Sequence, residues 1–334
     1  MTHGACKMGI DYRYLFGPVP SRRFGRSLGI DLTPFKTCSF DCIFCQLGRT
    51  TRLTTERAEW VDTRSVRREI DRWLASGGVA DYVTLSGSGE PTLHNGFGAI
   101  IRHVREQTDI PVALLSNGTL FSHPAVREAA LQASVVKLSL SGGDQETFQR
   151  INRPHPDIHL DAMVEGYRAF RKAFRGRLVL EVFLVRGINE QPEAVEKIAS
   201  LAATVEADEI HLNTAVRPPA EAYALPLTRA EMEVLAPVFR PTATVIAEFS
   251  ADRSSGVAAN ETTLLAMLRR RPCTAGQVAE VFGMHLNEVS KYLGKLTRTG
   301  QIAPLPREGD GDVYFAATGA AGDAAATNER NLKS

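Results

Sequence analysis

The stretch KTCSFDCIFCQLG, residues 36–48, holds Cys38, Cys42 and Cys45, three of the chain's five cysteines. The spacing, C-x3-C-x2-C, lets three thiolates from one short loop turn toward a common centre. Soft thiolates suit zinc or iron–sulfur clusters. A structural zinc site takes four protein ligands, and no nearby Cys or His is spaced to complete such a set. Three thiolates suit a [4Fe–4S] cluster with one iron left open. Ser39, Asp41, Gln46 and Gly48 surround the cysteines with loop residues, which argues against three thiols buried by chance. Cys6 and Cys273 stand alone and read as incidental rather than as ligands.

Outward from this loop, from about residue 27 to 249, short apolar runs alternate with helical patterns. The runs 27–32, 82–86, 112–116, 135–140, 178–185, 209–216 and 242–249 read as strands. Helical periodicity covers 61–75, 97–107, 125–133, 162–174, 194–205 and 228–239, and Asp144 caps a short segment at 145–151. Thr228 with Glu231 forms a capping box, and Gly77 with Gly78 ends the first helix. Near-continuous apolar strands alternating with helices predict an α/β fold whose helices cover a parallel sheet. Six or seven such units fall short of a closed eight-fold barrel. The expectation is a partial (β/α)6 TIM-like barrel over residues 1–250, or an open sheet, with functional groups at the C-terminal ends of the strands.

A length of 334 residues is itself a prior for two domains. Residues 251–260, ADRSSGVAAN, read as a linker. Beyond it, 261–317 gives an amphipathic helix, a capping box at Thr274 and Gln277, a second and third helix, and two short strands around EGDGD. That order predicts a small C-terminal winged helix-turn-helix, followed by a disordered tail at 318–334 rich in Ala, Gly, Asp and Asn. Its recognition helix carries Lys291, Lys295 and Arg298, yet acids nearly balance the bases across the segment. A dedicated DNA reader shows a clearer basic stripe. Peptide or protein binding, packing on the barrel, and RNA or DNA binding are the three roles open to it. The formal net charge of +1 rules out recruitment to nucleic acid or membranes by bulk charge. No run of 18 apolar residues suggests a membrane span, and the N-terminus lacks the apolar core of a signal peptide. Five cysteines are too few for a disulfide scaffold, which points to a reducing cytoplasm.

The wider stretch GPVPSRRFGRSLGIDLTPFKTCSFDCIFCQLGRTT (17–51), with Phe44 just before the last cysteine, resembles the radical S-adenosylmethionine (SAM) superfamily. Within it, the stretch resembles the iron–sulfur oxidoreductases grouped with archaeal wyosine synthases, and the resemblance runs from about residue 15 to 250. It implies one [4Fe–4S] cluster held by Cys38, Cys42 and Cys45, with SAM chelating the fourth iron. It further implies an electron donor such as flavodoxin or ferredoxin, and reductive cleavage of SAM to a 5′-deoxyadenosyl radical that abstracts hydrogen from a substrate. The protein's task is then orientation and exclusion of water.

Later motifs take roles from the same resemblance. SGSGEPTLH (86–94) resembles the Gly-Gly-Glu element that receives the SAM ammonium, which assigns Gly87, Ser88, Gly89 and Glu90, with Ser88 replacing the first Gly. LLSNG (114–118) resembles Thr-Asn-Gly, so Asn117 is expected to bond the ribose or carboxylate of SAM; an Asn-Gly turn reads the same residues. VVKLSLSGGD (135–144) resembles a segment in which Asp is common where Ser141 stands, leaving Ser139 the stronger ribose contact and Lys137 facing an anion. FLVRGINE (183–190) resembles the strand that packs on adenine, through Val185 and Ile188.

Substrate-facing residues follow from strand parity. In EIHLNTAVRPP (209–219), Glu209, His211 and Asn213 share one face, and a polar row inside a parallel sheet needs partners. His211, Asn213 and Arg217 are the catalytic candidates, Arg217 at the strand's exit being suited to a phosphate or carboxylate. Arg22, Arg23, Arg26, Arg49 and Arg52 are expected as a local basic rim or as solvated surface. The function expected is radical SAM hydrogen abstraction from an unidentified substrate, a peptide, protein or RNA reaching it through the winged helix. The alternatives are a tRNA-base modifier related to wyosine synthase and an iron–sulfur DNA-binding regulator. Only Cys6 precedes the motif, which argues against the second cluster of the wyosine branch.

Overall fold

Strands rich in Val, Ile and Leu, buried on both faces, form the centre of the chain. The computed structural model describes residues 12–21, 23–246, 260–306 and 313–318. In chain order the strands are β1 (Leu15–Ser21), β2 (Gly25–Ile30), the short pair β3 (Thr37–Cys38) and β4 (Arg52–Leu53), β5 (Tyr82–Leu85), β6 (Val112–Ser116), β7 (Val135–Ser139), β8 (Arg177–Leu184), β9 (Glu209–Thr214) and β10 (Thr244–Val245). The helices are α1 (Thr63–Ala75), α2 (Phe97–Gln107), α3 (Pro124–Ala130), α4 (Gln145–Asn152), α5 (Leu160–Ala173), α6 (Pro192–Ala203) and α7 (Arg229–Leu235). One eight-stranded sheet has the order β1-β2-β5-β6-β7-β8-β9-β10. All of its pairings are parallel except β1 with β2. The fold is α/β with a mostly parallel sheet that stays open between β1 and β10.

Parity sorts the two faces of the sheet. Leu28, Val83, Leu85, Leu114, Val136, Leu138, Leu180 and Leu212 pack with the helices in the main core. The opposite, inner face carries Ala113, Val135 and Val179 beside Phe24, then polar residues further along the same strands. The caps at Asp144 and Thr228 form as expected. Three expectations need correction. β1 went unrecognised, because LFGPVPS holds a Gly and two Pro; as an antiparallel edge strand with a shifted register it tolerates missing N–H donors. Its Phe16 ring lies where a Cβ on Gly29 would stand, at 2.0 Å. The helix expected over 228–239 is instead α7 and a 3-10 turn, Ala236–Val238, interrupted where Pro237 lacks an N–H. The strand expected over 242–249 is seen only as β10, its last residues lying outside the described part.

The C-terminal unit contains α8 (Glu261–Leu268), β11 (Cys273–Thr274), α9 (Ala275–Phe282), α10 (Leu286–Arg298), β12 (Ile302–Pro306) and β13 (Val313–Ala317). Its three strands pair in the order β11-β13-β12. Leu264, Leu268, Cys273, Val281, Leu293 and Leu296 give it a core of its own, so Cys273 is a packing residue. The unit touches both sides of the open sheet. Arg270 pairs with Asp31 after β2 at 3.3 Å, and Tyr314 Oη donates to the Val216 carbonyl after β9 at 3.0 Å. The turn at 308–312, most of the linker 251–260, the tail beyond residue 318 and Cys6 lie outside the described residues. Among those described, no helix is long and apolar enough to cross a membrane.

One buried side chain sets the strand ends that carry the site. Tyr167 of α5 is fully buried, and its hydroxyl lies 2.8 Å from the Ser139 carbonyl and 3.2 Å from that of Asn117. Gly118, at φ +86°, leaves room for it; a Cβ there would come within 1.8 Å of the Tyr167 oxygen. Tyr167→Phe removes the shared donor and is expected to cost about 1 kcal/mol. That should lower the melting temperature by roughly 2 °C in thermal unfolding; an unchanged midpoint would show that the hydroxyl does not hold these strands.

Candidate active site at the cysteine loop

The cysteine loop leaves the end of β2 and is pinned on several sides. β3 pairs with β4, and the Lys36 carbonyl accepts from the N–H groups of Thr51 and Arg52. On the other side, Asp41 and Ile43 donate their N–H groups to carbonyls at the end of α4. Arg153 binds the Asp41 carboxylate at 3.0 Å and Glu221 at 2.7 Å. All three cysteines of the loop are free thiols.

Each sulfur meets one side-chain N–H donor, each from a different part of the chain. Lys36 Nζ lies 3.1 Å from Cys45 Sγ, Asn117 Nδ2 lies 3.6 Å from Cys38 Sγ, and Asn152 Nδ2 lies 3.3 Å from Cys42 Sγ. Burial pushes the Cys38 thiol up to about 12, with the Glu90 carboxylate adding to it. Cys42 is raised as well, by burial first and then by the other two sulfurs. Burial opposes the charge of Lys36, but the surrounding sulfurs outweigh it and its pKa rises. Among the described residues no three Cys, His, Asp or Glu are grouped to hold a single metal ion. Three thiols on one loop, each beside an N–H donor, would suit the thiolate set of an iron–sulfur cluster, which would deprotonate them outright.

The loop after β5 lies directly against the cysteines, and its glycines make that approach possible. A Cβ on Gly89 would meet the Thr37 carbonyl at 2.0 Å, and one on Gly87 would meet the Asp31 carboxyl at 2.3 Å. Ser88 donates its hydroxyl to Asp31 at 2.7 Å. Burial raises the Asp31 pKa, against the pull of Arg270 and Ser88. Glu90 is buried, and its carboxylate accepts from the Thr92 N–H and hydroxyl, the Ser116 hydroxyl and the Asn117 N–H. Its side chain is thus a strut between this loop and the end of β6. Asn117 likewise spends its side chain within the chain, donating to Ser39 at 2.9 Å and to Cys38 while accepting from Thr119.

Beside the loop, Phe44 stacks on Phe183, with ring centroids 3.8 Å apart and planes at 11°. Val185 and Ile188 complete this apolar cluster, Val185 fully buried behind it. Asn189 ties the end of β8 by donating to the carbonyls of Ser141 and Phe183, while the Ser141 hydroxyl accepts from the Phe183 N–H. Ser139 sits at the end of β7 on the inner face.

Further down that face runs a polar row. Lys137 pairs with Glu181 at 2.5 Å, Arg23 reaches the same carboxylate at 2.8 Å, and Asn213 lies 3.5 Å from it. His211 bonds Glu209 at 2.9 Å, and burial, then Arg23, lowers its pKa. Of the three catalytic candidates, only Arg217 lies beside the cysteine loop, where it donates to Gln46 at 3.2 Å. Of the arginines read as a basic rim or as solvated surface, Arg23, Arg26, Arg49 and Arg52 pair with Glu181, Asp81, Glu221 and Glu56 respectively, and Arg22 lies outside the described residues. Lys36, Asn152, Phe183 and Asp31 were missed. Lys36 could have been flagged as a cation adjoining the motif; Asn152 carries no signal, because α4 brings it from a distant part of the chain.

Comparison with known proteins places this geometry in a family. The model of the Radical SAM superfamily matches residues 32–202. A protein called GTPase Obg from Brachyspira hyodysenteriae is 34% identical over 306 residues, covering 90% of this chain and 45% of that protein. A UPF0026 protein from Methanocaldococcus jannaschii is 36% identical over 213 residues, covering 63% of this chain and 66% of that protein. The chain thus spans less than two thirds of either relative. A radical SAM methyltransferase from Sphaerobacter thermophilus aligns in structure with a TM-score of 0.49 and 19% identity, over 69% of this chain and 68% of that one. The superfamily uses a [4Fe–4S] cluster and SAM. With three cysteines gathered on one loop at the mouth of a mostly parallel sheet, and the family model matched across that loop, the chain belongs to the radical SAM superfamily.

Proposed function

We propose that the chain is a radical SAM enzyme that abstracts hydrogen from a substrate still to be identified. The observation that carries this reading is the trio of N–H donors, one on each sulfur, beside a glycine-lined loop. When bound, the reduced cluster and SAM supply reductive cleavage of the sulfonium C–S bond and a 5′-deoxyadenosyl radical. Cys38, Cys42 and Cys45 would hold three of the irons. Backbone groups at Gly87, Ser88, Gly89 and Glu90 would receive the SAM ammonium, the Glu90 side chain keeping that loop in register with Asn117. Phe44 and Phe183, backed by Val185 and Ile188, offer an apolar shelf for adenine, with Ser139 beyond it for the ribose. Lys137 is engaged by Glu181, so its role is to hold charge balance on the inner face. A reductant such as flavodoxin or ferredoxin in a reducing cytoplasm would supply the electron.

The C-terminal unit is proposed to be a winged helix serving as a wall of the barrel. Lys295 on its third helix is paired with Glu261 rather than presented to a polyanion. The finer grouping with the wyosine synthases is supported by the stretch 17–51 alone.

Anaerobic reconstitution should give about four irons per chain. Cys42→Ala should abolish formation of 5′-deoxyadenosine; undiminished formation would contradict the reading. Lys36 brings a positive charge against a ligand sulfur, which favours the reduced, more negative cluster. Lys36→Met is expected to lower the cluster's reduction potential in an EPR-monitored titration, and an unchanged or higher potential would remove that role.

A further inference from the structure

Ser27, Thr84 and Leu115 on the inner face line a cavity of about 250 Å³, together with Met267 at the end of α8. Gln46, next to Cys45, and Gly87, next to Ser88, form the wall toward the cysteine loop. Four arginines, Arg23, Arg217, Arg270 and Arg271, also line it.

Three of the four have partners of their own within the chain. Arg23 pairs with Glu181 at 2.8 Å and Arg270 with Asp31 at 3.3 Å. Arg217 is different. Among the described residues no carboxylate pairs with it; its Nη1 donates to the neutral Gln46 amide, and its Nε is buried without an acceptor. Arg271 stands close enough that the two cations oppose each other. A guanidinium stays protonated in proteins, so the charge of Arg217, which no carboxylate among the described residues offsets, favours an anion in the cavity. A buried N–H without a partner points the same way.

We propose that this cavity binds the carboxylate or phosphate group of a small-molecule substrate, with Arg217 donating to that group and Arg271 adding charge beside it. The word substrate rests on the radical SAM reading; the anion site rests on the cavity. Its volume is below the roughly 300–1,000 Å³ of pockets that enclose a whole drug-sized ligand. It therefore takes an anionic head group, with the rest of the molecule directed past Gln46 toward the cysteines. The C-terminal unit is then part of the substrate site, because it supplies Met267, Arg270 and Arg271 to the cavity lining.

The test is calorimetric titration of inorganic pyrophosphate and of citrate into the anaerobically reconstituted full chain at low ionic strength. The two probes separate phosphate from carboxylate recognition. One of them is expected to bind, and Arg217→Gln should weaken it about tenfold or more, with Arg217→Lys intermediate because it keeps the charge and loses the fork. If Arg217→Gln does not fold, Arg271→Gln should weaken the same probe. Failure of both probes to bind the unmodified chain, or an affinity unchanged in the folded variant, overturns the assignment. The readout is heat rather than SAM cleavage, so a chain that binds the probe through Arg217 yet cleaves no SAM overturns the proposed function and leaves the anion site standing.

Discussion

Three sulfurs confined to one half-buried loop make a demand that the rest of the fold answers. A buried thiol resists ionisation, as the elevated Cys38 shows, and a second and third sulfur nearby make each thiolate costlier still. The chain offsets part of this with one ammonium, from Lys36, and two amide N–H groups, from Asn117 and Asn152. A bound metal would supply the remaining positive charge. The donors arrive from the loop itself, from the end of β6 and from the end of α4, so the sheet and its helices must be in place before the loop can bind.

The polar groups around the loop form continuous connections rather than separate contacts. Glu90 joins the loop after β5 to Ser116 and Asn117, and Asn117 passes the link to Ser39 and Cys38. Tyr167 fixes the carbonyls at the ends of β6 and β7 from behind. On the opposite side, Ser88 is tied to Asp31 and Asp31 to Arg270 of the C-terminal unit. A shift of that unit would therefore be felt at the glycine loop through a buried ion pair, and removing one partner of such a pair leaves an uncompensated charge.

The sequence shows much of this and hides the rest for physical reasons. Parallel strands buried on both faces announce themselves as apolar runs, and the caps at Asp144, Thr228 and Thr274 are local, so both were legible. β1 was not, since its prolines contradict strand propensity and only its edge position excuses them. Parity placed Lys137, His211 and Asn213 on one inner face. Whether Lys137 meets a ligand or Glu181 depends on the register between β7 and β8, which composition does not encode. Glu90 and Asn117 were read as ligand-facing from their position after strands. Both turn inward and bond each other, a choice decided by the distance between two loops rather than by spacing along the chain.

The central claim is that the three cysteines hold a [4Fe–4S] cluster with one iron free for SAM. Its most direct measurement is the EPR spectrum of the reduced, reconstituted chain with and without SAM. A [4Fe–4S] signal that changes shape on adding SAM, and is lost in Cys38→Ala, is the predicted result. A spectrum indifferent to SAM, or a colourless protein carrying only zinc, would contradict it.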